Sequence, residues 1–289
     1  MRPNWIIKPE LNDGFQPELE YETAHWPGYI GNDDFPLGYN NVAWDGKNPQ
    51  LWCSMDSQET FEKNKLTMPP SWRYHTKKVE YRYNNAGYRT YDWSQIDWKN
   101  AIVLFGDSCT FGEGLASDET IDAQLCRLTG RQVVNLGMPA GSNSQMFNLS
   151  LDMLERFGTP YAVVMNWSTA DRFRYFHKTG YYESGPWDSY KGFAGRSNID
   201  GVNITQLWSL TNKNEYHIMC NNYYVGKSAR AVWGNRTKYV SISYFNDSAH
   251  YMRVEKKFKI DNDARDRVHP GPDNSLSVAT YINNKLNQR

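Results

Sequence analysis

Ala101 to Phe105 is a run of apolar residues that leads directly into Gly106-Asp107-Ser108. A run this short is too brief for a helix and reads as a buried strand, with Gly-Asp marking a sharp turn at its end. Such a turn lifts the serine clear of the carboxyl edge of the sheet, which is where open α/β sheets bind ligands. Ser108 is therefore the first candidate nucleophile.

The same strand, loop and helix order repeats downstream. Ser117 or Asp118 is expected to cap a helix through Leu128, ended by Gly130, and Gln132 to Leu136 reads as the second strand. Ser142 begins a capping box, with Gln145 reaching back, and its helix runs through Phe147, Leu151 and Leu154 to Gly158. Tyr161 to Trp167 is the third strand, and Tyr239 to Tyr244 the fourth. Between them lies an aperiodic stretch from His177 to Asn198, then a helix within Glu215 to Trp233; Ser275 to Leu286 closes the chain as a helix. This alternation predicts an α/β domain over residues 96–289, a parallel sheet sandwiched by helices in a flavodoxin-like three-layer arrangement.

Residues 1–95 differ in texture. They are dense in Trp, Tyr, Pro, Asn and Asp and read as a mostly loop-rich extension. Rings such as Trp26, Trp44, Trp52 and Trp72 carry enough apolar area to hold irregular backbone against the main domain. Lys77 to Tyr83 alternates, with Val79, Tyr81 and Tyr83 on one face. Asn84-Asn85-Ala86-Gly87 then supplies a turn, which predicts a hairpin with Tyr88 to Thr90.

At 289 residues with 39% hydrophobic content, the chain is long enough to bury a sizeable core. Lys and Arg total 32 and Asp and Glu total 32, so no net field attracts nucleic acid, and nucleic acid is not an expected partner. No apolar run is long enough to cross a bilayer, so no membrane partner is expected. The first residues lack the apolar core of a signal peptide, which implies synthesis in the cytoplasm. Cys53, Cys109, Cys126 and Cys220 lack the spacing of a metal site or a disulfide framework; free thiols and no metal or other cofactor are expected. Cys109 reads as a small buried filler. Two other glycine motifs are decoys. Gly112-Glu113-Gly114 has Ser117 where a dinucleotide fingerprint needs its third glycine and reads as loop flexibility. Gly226-Lys227-Ser228 lacks the first glycine of a phosphate loop and reads as helix interior.

The run Gly106-Asp107-Ser108-Cys109-Thr110-Phe111-Gly112-Glu113-Gly114 resembles the first block of the SGNH/GDSL hydrolase family, whose serine attacks esters. Asp266-Arg267-Val268-His269, followed by Pro270-Gly271 and a terminal helix, resembles the family's last block. That resemblance implies His269 as base and Asp266 as its orienting carboxylate. Asp247-Ser248-Ala249-His250 is a weaker rival without the Pro-Gly turn and helix. Asn135 to Asn143 is similar to the second block, with Ala140 where the family has its oxyanion glycine. The implied oxyanion donors are the backbone N–H of Ser108 and of Ala140 or Gly141. In the third block Ala170 stands where the family has asparagine, and Asn143 or Asn166 is the remaining side-chain candidate.

Two functions follow. One is ester hydrolysis, with acetyl groups on carbohydrate as a candidate substrate and Tyr181, Tyr182 and Trp187 as candidate sugar-stacking rings. Its partner would be an ester-bearing small molecule or a polysaccharide. The other is a structural or binding component of a virus particle or other assembly, docked through the N-terminal extension and keeping the fold with weak or no catalysis. Ala170 and the long extension favour this second reading.

Overall fold

A computed structural model describes residues 48–177, 180–186, 198–199, 202–212 and 214–288. Trp26, Trp44, Trp187 and the side chains of Tyr181 and Tyr182 lie outside what is described. In chain order the elements are α1 (Gln58–Thr67), β1 (Ile102–Gly106), α2 (Ser108–Phe111), α3 (Ile121–Thr129), β2 (Val133–Gly137), α4 (Asn143–Phe157) and β3 (Ala162–Trp167). There follow β4 (Phe173–His177), β5 (Gly180–Ser184), β6 (Asn198–Ile199), β7 (Val202–Asn203), α5 (Ile204–Asn212) and α6 (Glu215–Trp233). The chain ends with β8 (Lys238–Ser243), α7 (Asn246–Tyr251), β9 (Lys256–Lys257) and α8 (Pro272–Asn287).

The main sheet has the order β2-β1-β3-β8-β9 and every pairing in it is parallel. Side chains alternate across β1, so both faces are buried. Val103 and Phe105 meet Met146, Leu149 and Met153 of α4 and Trp233 of α6, while Ile102 and Leu104 meet Leu125 of α3 and Ile282 of α8. This is the expected three-layer α/β sandwich. The connection from β1 to β2 runs one way and that from β2 to β3 runs back over β1. The topological switch therefore falls at the carboxyl end of β1, where Ser108 begins α2.

The helix ends obey local chemistry. Ser142 caps α4 by accepting from Gln145 N–H, but the reciprocal half of the capping box is not made, since Gln145 Oε1 has no partner among the described residues. The helix α3 is capped by Thr120, not by Ser117 or Asp118; the Asp118 carboxylate instead takes Lys77 Nζ at 2.8 Å. Its C-cap is Gly130 in the left-handed conformation, as expected. Met146, Leu149 and Met153 face the core, whereas Leu151 is exposed. Gly226 lies within α6. β4 and β5 form an antiparallel hairpin that reaches into the stretch read as aperiodic, and α5 follows that stretch.

The N-terminal segment is less of a loop than its composition suggested, because α1 lies within it. None of its residues is buried, which explains why no apolar period announced it. Val79, Tyr81 and Tyr83 do share a buried face. Their segment is not a hairpin strand, however: Tyr81 bridges Gln50 instead, and the turn is closed by Asn84 Oδ1 accepting from the N–H of Ala86 and of Tyr88. Tyr81, Tyr83, Trp72 and Tyr74 cluster around Phe111 of α2, so this segment packs on the element that carries Ser108. Among the described residues no helix is long and apolar enough to cross a membrane.

Candidate active site

The turn after β1 is built for close approach. A side chain at Gly137 would place its Cβ 2.4 Å from the Phe111 nitrogen, so only glycine lets the α2 backbone cross β2 here. Asp107 caps α2 by accepting from Cys109 N–H at 3.0 Å, and its other oxygen accepts from Ser168 Oγ at 2.7 Å. Ser108 is thereby fixed as the first residue of the helix and is largely buried.

His269, on the loop entering α8, lies 161 positions away in sequence, and its Nε2 is 2.8 Å from Ser108 Oγ. Its Nδ1 faces Asp266 Oδ2 at 2.5 Å, while Asp266 Oδ1 accepts from the N–H of Val268 and His269 at 3.0 and 3.1 Å. A carboxylate at Nδ1 holds the ring hydrogen there in the neutral tautomer, which leaves Nε2 to accept from the serine hydroxyl. Burial alone would raise the Asp266 carboxyl. The hydrogen bond and charge of His269 outweigh burial and hold it below the usual carboxylate range. His250 is exposed on α7, and the Asp247 carboxylate accepts from Ala170 N–H, so that rival pair stands apart from the serine.

The candidate oxyanion donors separate by what they already bind. Gly141 N–H donates to Met138 O at 2.9 Å. Asn143 is buried: its amide nitrogen lies 2.8 Å from Asn222 Oδ1 and 3.2 Å from both Ser168 O and Ser248 Oγ, and its oxygen accepts from Ser168 N–H. Asn166 donates to Thr110 Oγ1. The N–H groups of Ser108 and Ala140 donate to nothing among the described residues. Ala140 has φ +65°, a conformation that costs a non-glycine residue about 1–3 kcal/mol and that clusters at functional sites. Ala170 is buried, with its N–H on Asp247 and its carbonyl on Asn222, and it has no side-chain donor to offer.

Three further groups bear on the site, none of which the sequence marked as part of it. Arg172 Nη1 sits 3.2 Å from Asp107 Oδ2 and 3.5 Å from Gly141 O, between the loops that follow β1 and β2. Glu113, read from sequence as part of a flexible loop, is buried, with Oε2 4.0 Å from His269 Nε2. Its Oε1 accepts from Met55 N–H at 2.7 Å and Asp56 N–H at 3.3 Å. Beside Asp266, the buried Arg265 guanidinium is paired with the buried Asp56 carboxylate, which also accepts from Tyr81 Oη. Tyr81 Oη in turn accepts from Gly114 N–H, and Gly114 O accepts from Arg265 N–H.

Glu113, Asp266 and His269 each present a ligand atom within 4.8 Å of the others. Both ring nitrogens are already engaged, by Ser108 and Asp266, so a cation bound there would have to displace one of those contacts. Cys53, Cys109, Cys126 and Cys220 are free thiols; burial pushes the Cys109 thiol well up, which keeps it protonated and inert beside the serine.

No family model matches the chain and no curated protein matches it. Solved structures do. An acetyl xylan esterase, Est2A, from the rumen bacterium Butyrivibrio proteoclasticus is 12% identical over 66% of this chain, with a TM-score of 0.35; the chain spans 64% of that esterase's length. A lipolytic protein of the G-D-S-L family from Desulfitobacterium hafniense is 11% identical, covering 65% of this chain and 99% of its own, with a TM-score of 0.36. AlinE4, an SGNH-hydrolase family esterase, is 12% identical over 56% of this chain and 76% of its own, with a TM-score of 0.31. The last two of these neighbours carry the name of the SGNH or G-D-S-L family that the serine block resembles. At such identities and scores the chemistry of this chain rests on its own residues.

Proposed function

We propose that this protein is a serine hydrolase of carboxylic esters, with acetyl groups on carbohydrate as a candidate substrate. The observation that supports it most is the unbroken line from Ser108 Oγ to His269 to Asp266 at the carboxyl edge of a parallel sheet. In the first half-reaction His269 Nε2 takes the Ser108 proton as Oγ attacks the ester carbonyl carbon. The tetrahedral oxyanion is met by the N–H groups of Ser108 and Ala140, while Arg172, ion-paired with Asp107 and touching Gly141 O, ties together the two loops that carry them. The alcohol leaves with the proton from His269, giving an acyl-serine. Water, deprotonated by the same nitrogen, then releases the acid and restores Ser108. No cofactor is required.

A second reading, a structural or binding component of an assembly such as a virion, is favoured by Ala170, which offers no side-chain donor to the oxyanion. Turnover of a chromogenic acetyl ester and release of acetate from acetylated xylan separate the two. The hydrolase reading expects both activities, with Ser108→Ala lowering the first by at least about a thousandfold while the protein stays folded. A folded native chain that hydrolyses neither substrate would favour the assembly reading.

A further inference from the structure

We propose that Glu113 is a second carboxylate for His269, a positioning residue that steadies the imidazolium from the Nε2 edge as Asp266 does from Nδ1 and so sets the pH above which Ser108 is activated. The inference rests on His269 being the base of the proposed hydrolase. It is carried by geometry. Glu113 is buried, with one oxygen fixed by the N–H groups of Met55 and Asp56 and the other 4.0 Å from the nitrogen that must receive the serine proton. When that proton arrives, the new positive charge lies between two buried carboxylates. Opposite charges this close, away from water, interact far more strongly than they would at the surface.

The charged and titratable groups facing the ring are Glu113 after α2, Asp266 on its own loop and Asp107 before α2. Those facing Glu113 are His269, Asp266, the Cys53 and Cys109 thiols and the Tyr81 hydroxyl. The nearby Arg265 is already paired with Asp56. Burial on its own would lower His269, but Glu113 first and then Asp266 raise it to about 9. Burial pushes Glu113 up to about 7, while the charge of His269 pulls it down. The sign is definite: the base must be neutral to act, so activity rises as pH climbs through the His269 value, and removing the Glu113 charge moves that rise to lower pH.

The test is Glu113→Gln, which keeps an oxygen to accept from Met55 and Asp56 but removes the charge. The acidic limb of kcat/KM for an acetyl ester should move down by about one pH unit or more. The variant would then be faster than the native chain near neutrality and no faster above the native limb. In parallel, the ring resonances of His269, assigned among the six histidines by loss in His269→Gln, should titrate at correspondingly lower pH in Glu113→Gln. If the variant does not fold, the native chain still decides the matter. Its His269 titration should be displaced upward and show a second inflexion shared with the amide protons of Met55 and Asp56. A His269 midpoint near 6.5 in the native chain, or the same midpoint and limb with and without the Glu113 charge, would overturn the inference. Because the titration needs no turnover, a shifted midpoint in a chain that hydrolyses no ester would sink the hydrolase reading while leaving the Glu113–His269 coupling in place.

Discussion

The central sheet and the N-terminal segment both hold Ser108, His269 and Asp266 in place, but by opposite means. The sheet does it with apolar burial on two faces and with glycine at Gly137, where backbones cross. The segment from residue 48 onward has its own aromatic cluster against Phe111, yet its contacts with the site are polar: Asp56 with Arg265, Tyr81 between Asp56 and Gly114, and the amides of Met55 and Asp56 on Glu113. Apolar packing fixes where α2, the helix that begins at Ser108, sits. Buried polar contacts, which are costly when unmatched, brace the loop that carries Asp266 and His269. The Ser108, His269 and Asp266 cluster is thus assembled on an α/β core and braced by a segment outside it.

The comparison breaks most sharply at Asp56. Asp56→Ala strands the buried Arg265 charge, and losing one partner of such a pair costs about 3–5 kcal/mol. Thermal melting should therefore fall by more than 6 °C or so. Replacing both partners, as in Asp56→Leu with Arg265→Met, removes the unpaired charge and should recover much of that loss while still loosening Asp266, so activity should fall more than stability. Equal melting temperatures for the single variant and the native chain would mean that the segment is ornament.

A smaller effect is expected on the sheet side. Gly137→Ala forces the α2 backbone away from β2 and should cost about 1–3 kcal/mol. Because a displacement near 1 Å can cost a hundredfold in rate, turnover should suffer more than folding. Unchanged turnover would show that the crossing at Gly137 does not place Ser108.

These two sides were unequally legible in the sequence. The strand and turn at Ala101 to Ser108 were legible because a fully buried parallel strand writes itself as an apolar run. His269 is set apart from His250 not by Asp-x-x-His alone, which both share, but by the Pro-Gly turn and terminal helix after it that match the resembled last block. The N-terminal contacts were not. Asp56 and Arg265 are 209 positions apart, and nothing in either neighbourhood marks them as partners. Glu113 sits between two glycines and so looked like part of a flexible loop, although its carboxylate is among the most buried of the described residues. Helix α1 has no buried residue and hence no period to read. Thr120 caps α3 while Asp118 pairs with Lys77 and the Ser117 hydroxyl donates to Glu80 O, contacts 41 and 37 positions away that no local rule contains.

Covalent labelling tests the central claim, that Ser108 is a nucleophile activated by His269, without assuming any substrate. A fluorophosphonate should phosphonylate the native chain once, on the peptide containing Ser108, with fluoride leaving as Oγ bonds to phosphorus. Mass spectrometry of digests should show that adduct absent in Ser108→Ala and formed far more slowly in His269→Gln. An adduct on another residue, or none on a folded native chain, would contradict the account.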